Sequence, residues 1–145
     1  MPVQDIIGGN YPTRMTAAYA GMIADTSLHD IVSKTVETAA VAFGLAVGRG
    51  TADGSVKLGG TGFEGIVVDD KTKTADSYAV GDYAGIARKG TIYVTAGAAV
   101  TPADTVYFAA ATGIISNISA GGTAITGAKF LDTAANGALV RVYLP

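Results

Sequence analysis

Hydrophobic and polar residues alternate one for one along much of this chain, which is the spacing of half-buried β-strands. The pattern is sharpest in Gly81–Thr95, GDYAGIARKGTIYVT, where Ile92 and Val94 fall on one face and Thr91, Tyr93 and Thr95 on the other. Gly90 separates this strand from an earlier one, Tyr83–Arg88, at a place where the chain must bend or bulge. Ala42–Arg49 alternates as strictly, with Phe43, Leu45 and Val47 opposite Ala42, Gly44, Ala46 and Gly48. A face of such small residues lets another backbone layer come close. A helix through Lys34–Val47 is the competing reading, because Ala39–Ala42 favours helix, but Thr35, Val36 and Thr38 disfavour it. Further strands are expected at Ile31–Glu37, Val56–Leu58, Phe63–Asp69, Thr105–Phe108, Ile114–Ile118, Ala128–Asp132 and Leu139–Leu144. They recur every roughly 8–14 residues with Gly, Asp or Asn between them, which predicts a mostly-β sandwich or barrel.

Residues 1–27 are different. Gly8, Gly9, Asn10 and Pro12 stop any regular element early, and Thr13–Ala24 carries only a weak helical pattern around Tyr19, Met22 and Ile23. The expected organisation is an extended N-terminal arm over 1–27 and one β-domain over 28–145. An arm bearing Ile6, Ile7, Tyr11, Tyr19, Met22 and Ile23 is poorly solvated if loose, so it is expected to lie on its own domain or on a neighbour.

Composition narrows the function classes. The chain has 145 residues, enough for one domain with a real core, but Trp is absent and only four Phe and seven Tyr supply bulk. Charged residues are 15% and the net charge is −2, below the roughly one quarter typical of soluble domains. Such a surface suits a chain that hides much of its exterior against partners. There is no basic excess to suggest nucleic acid, and no apolar run as long as the roughly 18 residues of a membrane span. Cysteine is absent, which removes disulfide and thiolate chemistry. Met1–Asp5 shows neither a basic nor an apolar leader region, so an intracellular site is expected.

No residue pattern survives as chemistry. Gly60, Gly62 and Gly65 match G-x-G-x-x-G, but Ile66, Val67 and Val68 follow as a strand where a phosphate site needs a helix N-terminus. His29 is the only histidine and lacks a matched nucleophile. Asp69 and Asp70 could suggest a hard-cation site, yet Lys71 and Lys73 compensate them and the spacing of a calcium loop is absent. Glu37 and Glu64 are the only glutamates, with no sugar platform nearby. Arg88 and Lys89 beside Tyr83 and Tyr93 read as a solvated strand edge. The expectation is no enzyme, no metal and no cofactor.

Several phrases, taken in order, resemble the structural cement (capsid decoration) protein family of tailed phages. They are AYAGMIADTSLHDIVSKTVETAAVAFGLAVGRGT (Ala18–Thr51), GFEGIVVDD (Gly62–Asp70), YAVGDYAGIARKGTIYVTAGAAVTPADTVYF (Tyr78–Phe108) and GGTAITGAKFLDTAANGALVRVYL (Gly121–Leu144). Thr101-Pro102-Ala103-Asp104 departs from the Gly-Asp turn expected there. The resemblance implies a jelly-roll-like β-protein, made in the host cytoplasm and carried on the outer surface of the virion head. There it would bridge major capsid protein subunits after the shell expands, as a small homo-oligomer, with a dimer favoured over a trimer. Tyr11, Pro12, Tyr19 and Met22 of the arm, with Arg88 and Lys89, are the expected capsid or subunit contacts. The other readings are a different phage structural β-protein (tail, fibre or head-tail joining component) and a carbohydrate- or ligand-binding jelly roll.

Overall fold

The structure is a computed structural model and describes residues 18–145. Eleven strands run in the order β1 (Asp30–Val36), β2 (Val41–Ala42), β3 (Ala46–Arg49), β4 (Ser55–Lys57), β5 (Thr61–Val67), β6 (Ser77–Tyr78), β7 (Tyr83–Thr95), β8 (Thr105–Ala109), β9 (Ile115–Ser116), β10 (Gly122–Phe130) and β11 (Leu139–Leu144). There is no helix among the described residues.

The first half is a closed barrel. Its ring runs β1-β4-β3-β5-β7 and returns from β7 to β1. All its pairings are antiparallel except β1 with β4, where Thr35 faces Ser55 and Val36 faces Val56. The barrel interior holds Val36, Val47, Val56, Val67, Ala84 and Ile86. The small pair β2–β6 adds Val41 and Tyr78 to the same core.

The long strand β7 belongs to both halves. Its later residues pair with β11, from Leu139 opposite Thr95 to Leu144 opposite Gly90, and the sheet continues through β10, β8 and β9. A parallel bridge from Ala96 to Ile115 brings the last strand back to the exit of β7. Lys89 opposes Asp30 and Ala87 opposes Ile31, so Arg88 is an extra residue, a bulge that bends the strand and shifts its alternation. Before the bulge Ala84 and Ile86 point into the barrel; after it Ile92 and Val94 point into a second core with Phe108, Phe130, Val142 and Leu144. Tyr83–Arg88 and Thr91–Thr95, expected as two strands, are therefore one strand passing through Gly90.

Two further expectations need correction. Ala42–Arg49 is not continuous: β2 ends at Ala42, the chain turns, and β3 starts at Ala46. The turn forms because the Phe43 amide donates to the Asp76 carbonyl (3.1 Å) and the Gly44 amide to the Val67 carbonyl (2.8 Å), partners the side-chain pattern does not reveal. Gly44 takes φ +79, and a Cβ there would sit 2.9 Å from that of Ala20. The weak helical pattern around Tyr19, Met22 and Ile23 does not give a helix either. The Met22 amide closes a turn onto the Tyr19 carbonyl (3.2 Å), and Ile23 bridges antiparallel to Ile92. A Cβ on Gly48 would lie 2.6 Å from the Gly60 carbonyl carbon, so backbone comes close at this residue, but from the chain entering β5 beside it in the same sheet and not from another layer.

Candidate functional site

Of the expected contact residues, Tyr19 and Arg88 line two separate cavities, whereas Met22 and Lys89 line neither. Tyr11 and Pro12 lie outside the described residues. Arg88 donates from both Nε (3.0 Å) and Nη2 (2.6 Å) to Asp30 Oδ2, tying the bulge of β7 to the start of β1. With Phe63, Ile125, Leu144 and Pro145 it lines a cleft of about 310 Å³ between barrel and second sheet. Lys89 is half-buried and lies opposite Asp30 across the β1–β7 pair.

Met22 is half-buried, and its segment is stitched to β7. The Gly21 amide donates to the Tyr93 carbonyl (2.8 Å), the Tyr93 amide to the Met22 carbonyl (2.9 Å), and the Ala24 amide to the Thr91 carbonyl (2.9 Å). A fourth bond, from the Asp69 amide to the Gly21 carbonyl (2.9 Å), ties the same segment to the end of β5. Tyr19, two residues before this ladder, is 39% exposed. The Lys71 ammonium stands 3.0 Å from the centre of its ring and 2.9 Å from Asp69 Oδ2, so one cation joins ring and carboxylate.

Tyr19 also lines a second cavity, of about 390 Å³. Its apolar wall is Ala20, Ala42 and Phe43, and Phe43 is held edge-on against Tyr78 with ring centres 5.3 Å apart. The Tyr78 hydroxyl donates to the Val68 carbonyl (2.9 Å), and burial pushes its ionisation up. Asp69, Asp70, Asp76, Lys71 and Lys73 form the polar rim. Asp70 Oδ1 accepts from the hydroxyl (2.7 Å) and the amide (2.9 Å) of Thr72, and these bonds hold the carboxyl below its ordinary value. Lys73 turns away to Asp82 Oδ2 (3.0 Å), which raises the lysine and lowers the aspartate. The compensation expected for Asp69 and Asp70 is therefore a direct ion pair at Asp69 and only the more distant charge of Lys73 at Asp70.

Glu37 and His29 make their bonds within the fold. Glu37 Oε2 accepts from the Ser55 hydroxyl (2.8 Å) and the Thr51 amide (2.6 Å), fastening the β3–β4 turn to β1. His29 Nδ1 meets the Ser27 carbonyl at 3.0 Å on the surface. Gly60, Gly62 and Gly65 lead into β5, with no helix after them. Among the described residues there is no group of three or more metal-binding side chains. Ala20, Ala42, Phe43 and Asp76 are the cavity residues that sequence reasoning missed, because the turn after Tyr19, a broken strand and a loop residue at φ +47 bring them together.

Comparison with curated proteins gives no match. Among solved structures the chain is similar to one in "The capsid of Myoviridae Phage XM1" (TM-score 0.74, 18% identity, covering 92% of this chain and 94% of that one). It is also similar to the head fiber gp8.5 N base of bacteriophage phi29 (TM-score 0.55, 12% identity, 81% and 95% covered). At these identities the likeness is one of fold. A family model described as structural cement protein (E217 gp24/Pam3 gp6) matches residues 7–144, nearly the whole chain, and the protein belongs to that phage structural cement family.

Proposed function

We propose that this protein decorates the outer surface of an expanded phage head and stabilises it by bridging major capsid protein subunits. The observation that carries this reading is the family match over residues 7–144. The low charge density supports it. The work is binding, and many copies on a closed shell multiply a modest affinity per site. Residues 1–27 act as the arm and 28–145 as the body, with Tyr11, Pro12, Tyr19, Met22, Arg88 and Lys89 making capsid or subunit contacts and the protein acting as a small homo-oligomer, a dimer before a trimer.

Deleting residues 1–20 tests the arm while leaving the Gly21–Ala24 ladder on β7 in place. The truncated protein is expected to keep a cooperative thermal transition and to lose decoration of expanded capsids. Normal saturation of capsids by the truncated protein would overturn the assignment. The likeness to a phi29 head fiber base favours one other reading, a fibre component. Electron microscopy of virions labelled on this chain separates the two by location.

A further inference from the structure

The cavity beside Tyr19 carries an inference that deepens the capsid-binding reading and rests on it. This chain has 10 basic and 12 acidic residues in all, and five of them surround this one cavity of about 390 Å³. Lys71 is bonded to Asp69 and Lys73 to Asp82, so neither lysine makes an ion pair with Asp70 or Asp76, although the charge of Lys73 still acts on Asp70. That leaves Asp70 and Asp76 with no cationic side chain in bonding reach among the described residues. Asp70 uses Oδ1 on Thr72, and Oδ2 accepts no hydrogen bond from the described residues. Beneath the two carboxylates lies the apolar wall of Ala20, Ala42 and Phe43.

We propose that this cavity receives an arginine side chain of the capsid protein, its methylenes and guanidinium plane against Phe43 and its donors on Asp70 and Asp76. Charge complementarity selects a cation, and the apolar wall selects one with an apolar stem and a weakly hydrated planar head. The volume falls in the range of small-ligand sites, about 300–1,000 Å³. Tyr19, one of the expected contact residues, lines the same cavity.

Two isosteric changes test this without disturbing the loop. Asp70→Asn keeps the Oδ1 acceptor for Thr72, and Asn tolerates the left-handed backbone of residue 76 as Asp does. The full-length D70N/D76N protein is expected to unfold at the wild-type temperature and to bind expanded capsids about 10-fold more weakly, the equivalent of one charge-assisted contact of about 1.4 kcal/mol. Its binding is also expected to depend less on salt, and D70K/D76K is expected to abolish binding. Unchanged affinity and salt dependence in D70N/D76N, with wild-type protein binding normally, would overturn this proposal alone. A loss of self-association with capsid affinity intact would overturn it in favour of a second copy as occupant. Failure of the wild-type protein to bind capsids would overturn the decoration reading and this proposal with it.

Discussion

The barrel core holds five valines, Val36, Val41, Val47, Val56 and Val67, with Ile86 and Tyr78, whereas the core beyond the bulge of β7 adds Phe108, Phe130, Ile92, Ile115 and Leu144 to five valines of its own. The one aromatic ring in the barrel core, Tyr78, spends its hydroxyl on a backbone carbonyl. A five-stranded ring is narrow, so short β-branched side chains fill it and neighbouring backbones must touch, as Gly48 and Gly60 do. The open side of β7 instead lays an alternating sheet over larger side chains. One half depends on volume being absent, the other on volume being present.

That contrast can be broken from both sides. Removing bulk from the second core by Phe130→Ala is expected to cost about 3–5 kcal/mol in denaturant unfolding, the range for a fully buried aromatic. Adding one methyl to the barrel by Gly48→Ala is expected to cost roughly 1–3 kcal/mol, because the new Cβ meets backbone and not a yielding side chain. If the glycine variant matches the wild type, the barrel is not limited by backbone approach and the contrast fails.

Acid sharpens the comparison at a smaller scale. Glu37 in the barrel and Asp132 in the second half both have carboxyl groups held below their ordinary values, 4.5 and 3.8. A group lowered in the folded state contributes stability that is present above its ordinary value and lost as pH falls through the folded one. Both halves should therefore weaken in acid below those values, and Glu37→Gln or Asp132→Asn should each flatten part of the fall in a pH series of thermal unfolding. The causes differ. Glu37 is held by the Ser55 hydroxyl and the Thr51 amide, which are neutral, whereas Asp132 takes a two-pronged bond from Arg141 at 2.9 and 2.8 Å. At about 1 M salt, where screening acts within about 3 Å, the Asp132 contribution should shrink while that of Glu37 persists.

Lys71→Met gives the smallest effect expected, a loss of roughly 0.5–1 kcal/mol from the cation over the Tyr19 ring. Protease cleavage before Gly21 should rise in that variant while the barrel resists. Equal cleavage rates would show that the ladder on β7 alone fixes the segment.

The alternation of side chains made the β class and most strand positions legible, because burial of one sheet face imposes a period of two on the sequence. β11 is found where Val140, Val142 and Leu144 place it. What alternation cannot carry is backbone bonding across long separations. Phe43 and Gly44 continue the pattern of Ala42–Arg49, yet their amides are claimed by Asp76 and Val67 and the strand breaks. Arg88 read as a solvated edge, whereas it is the extra residue of a bulge, bonded to Asp30 across the sheet. In the cavity, Asp69–Lys73 announced charge, but the diversion of Lys73 to Asp82 depends on a loop whose course the sequence does not state.

The ladder that fastens Gly21, Met22 and Ala24 to Tyr93 and Thr91 has a mechanical consequence. Antiparallel hydrogen bonds lie perpendicular to their strands. A pull on the arm directed along β7 therefore shears these bonds together, where a pull at right angles would peel them off singly. The load then enters the one strand that both sheets share, and spreads to β1 and β5 on one side of the bulge and to β11 on the other. A segment fastened this way behaves as a shank set into a frame, strongest in the direction along which β7 runs.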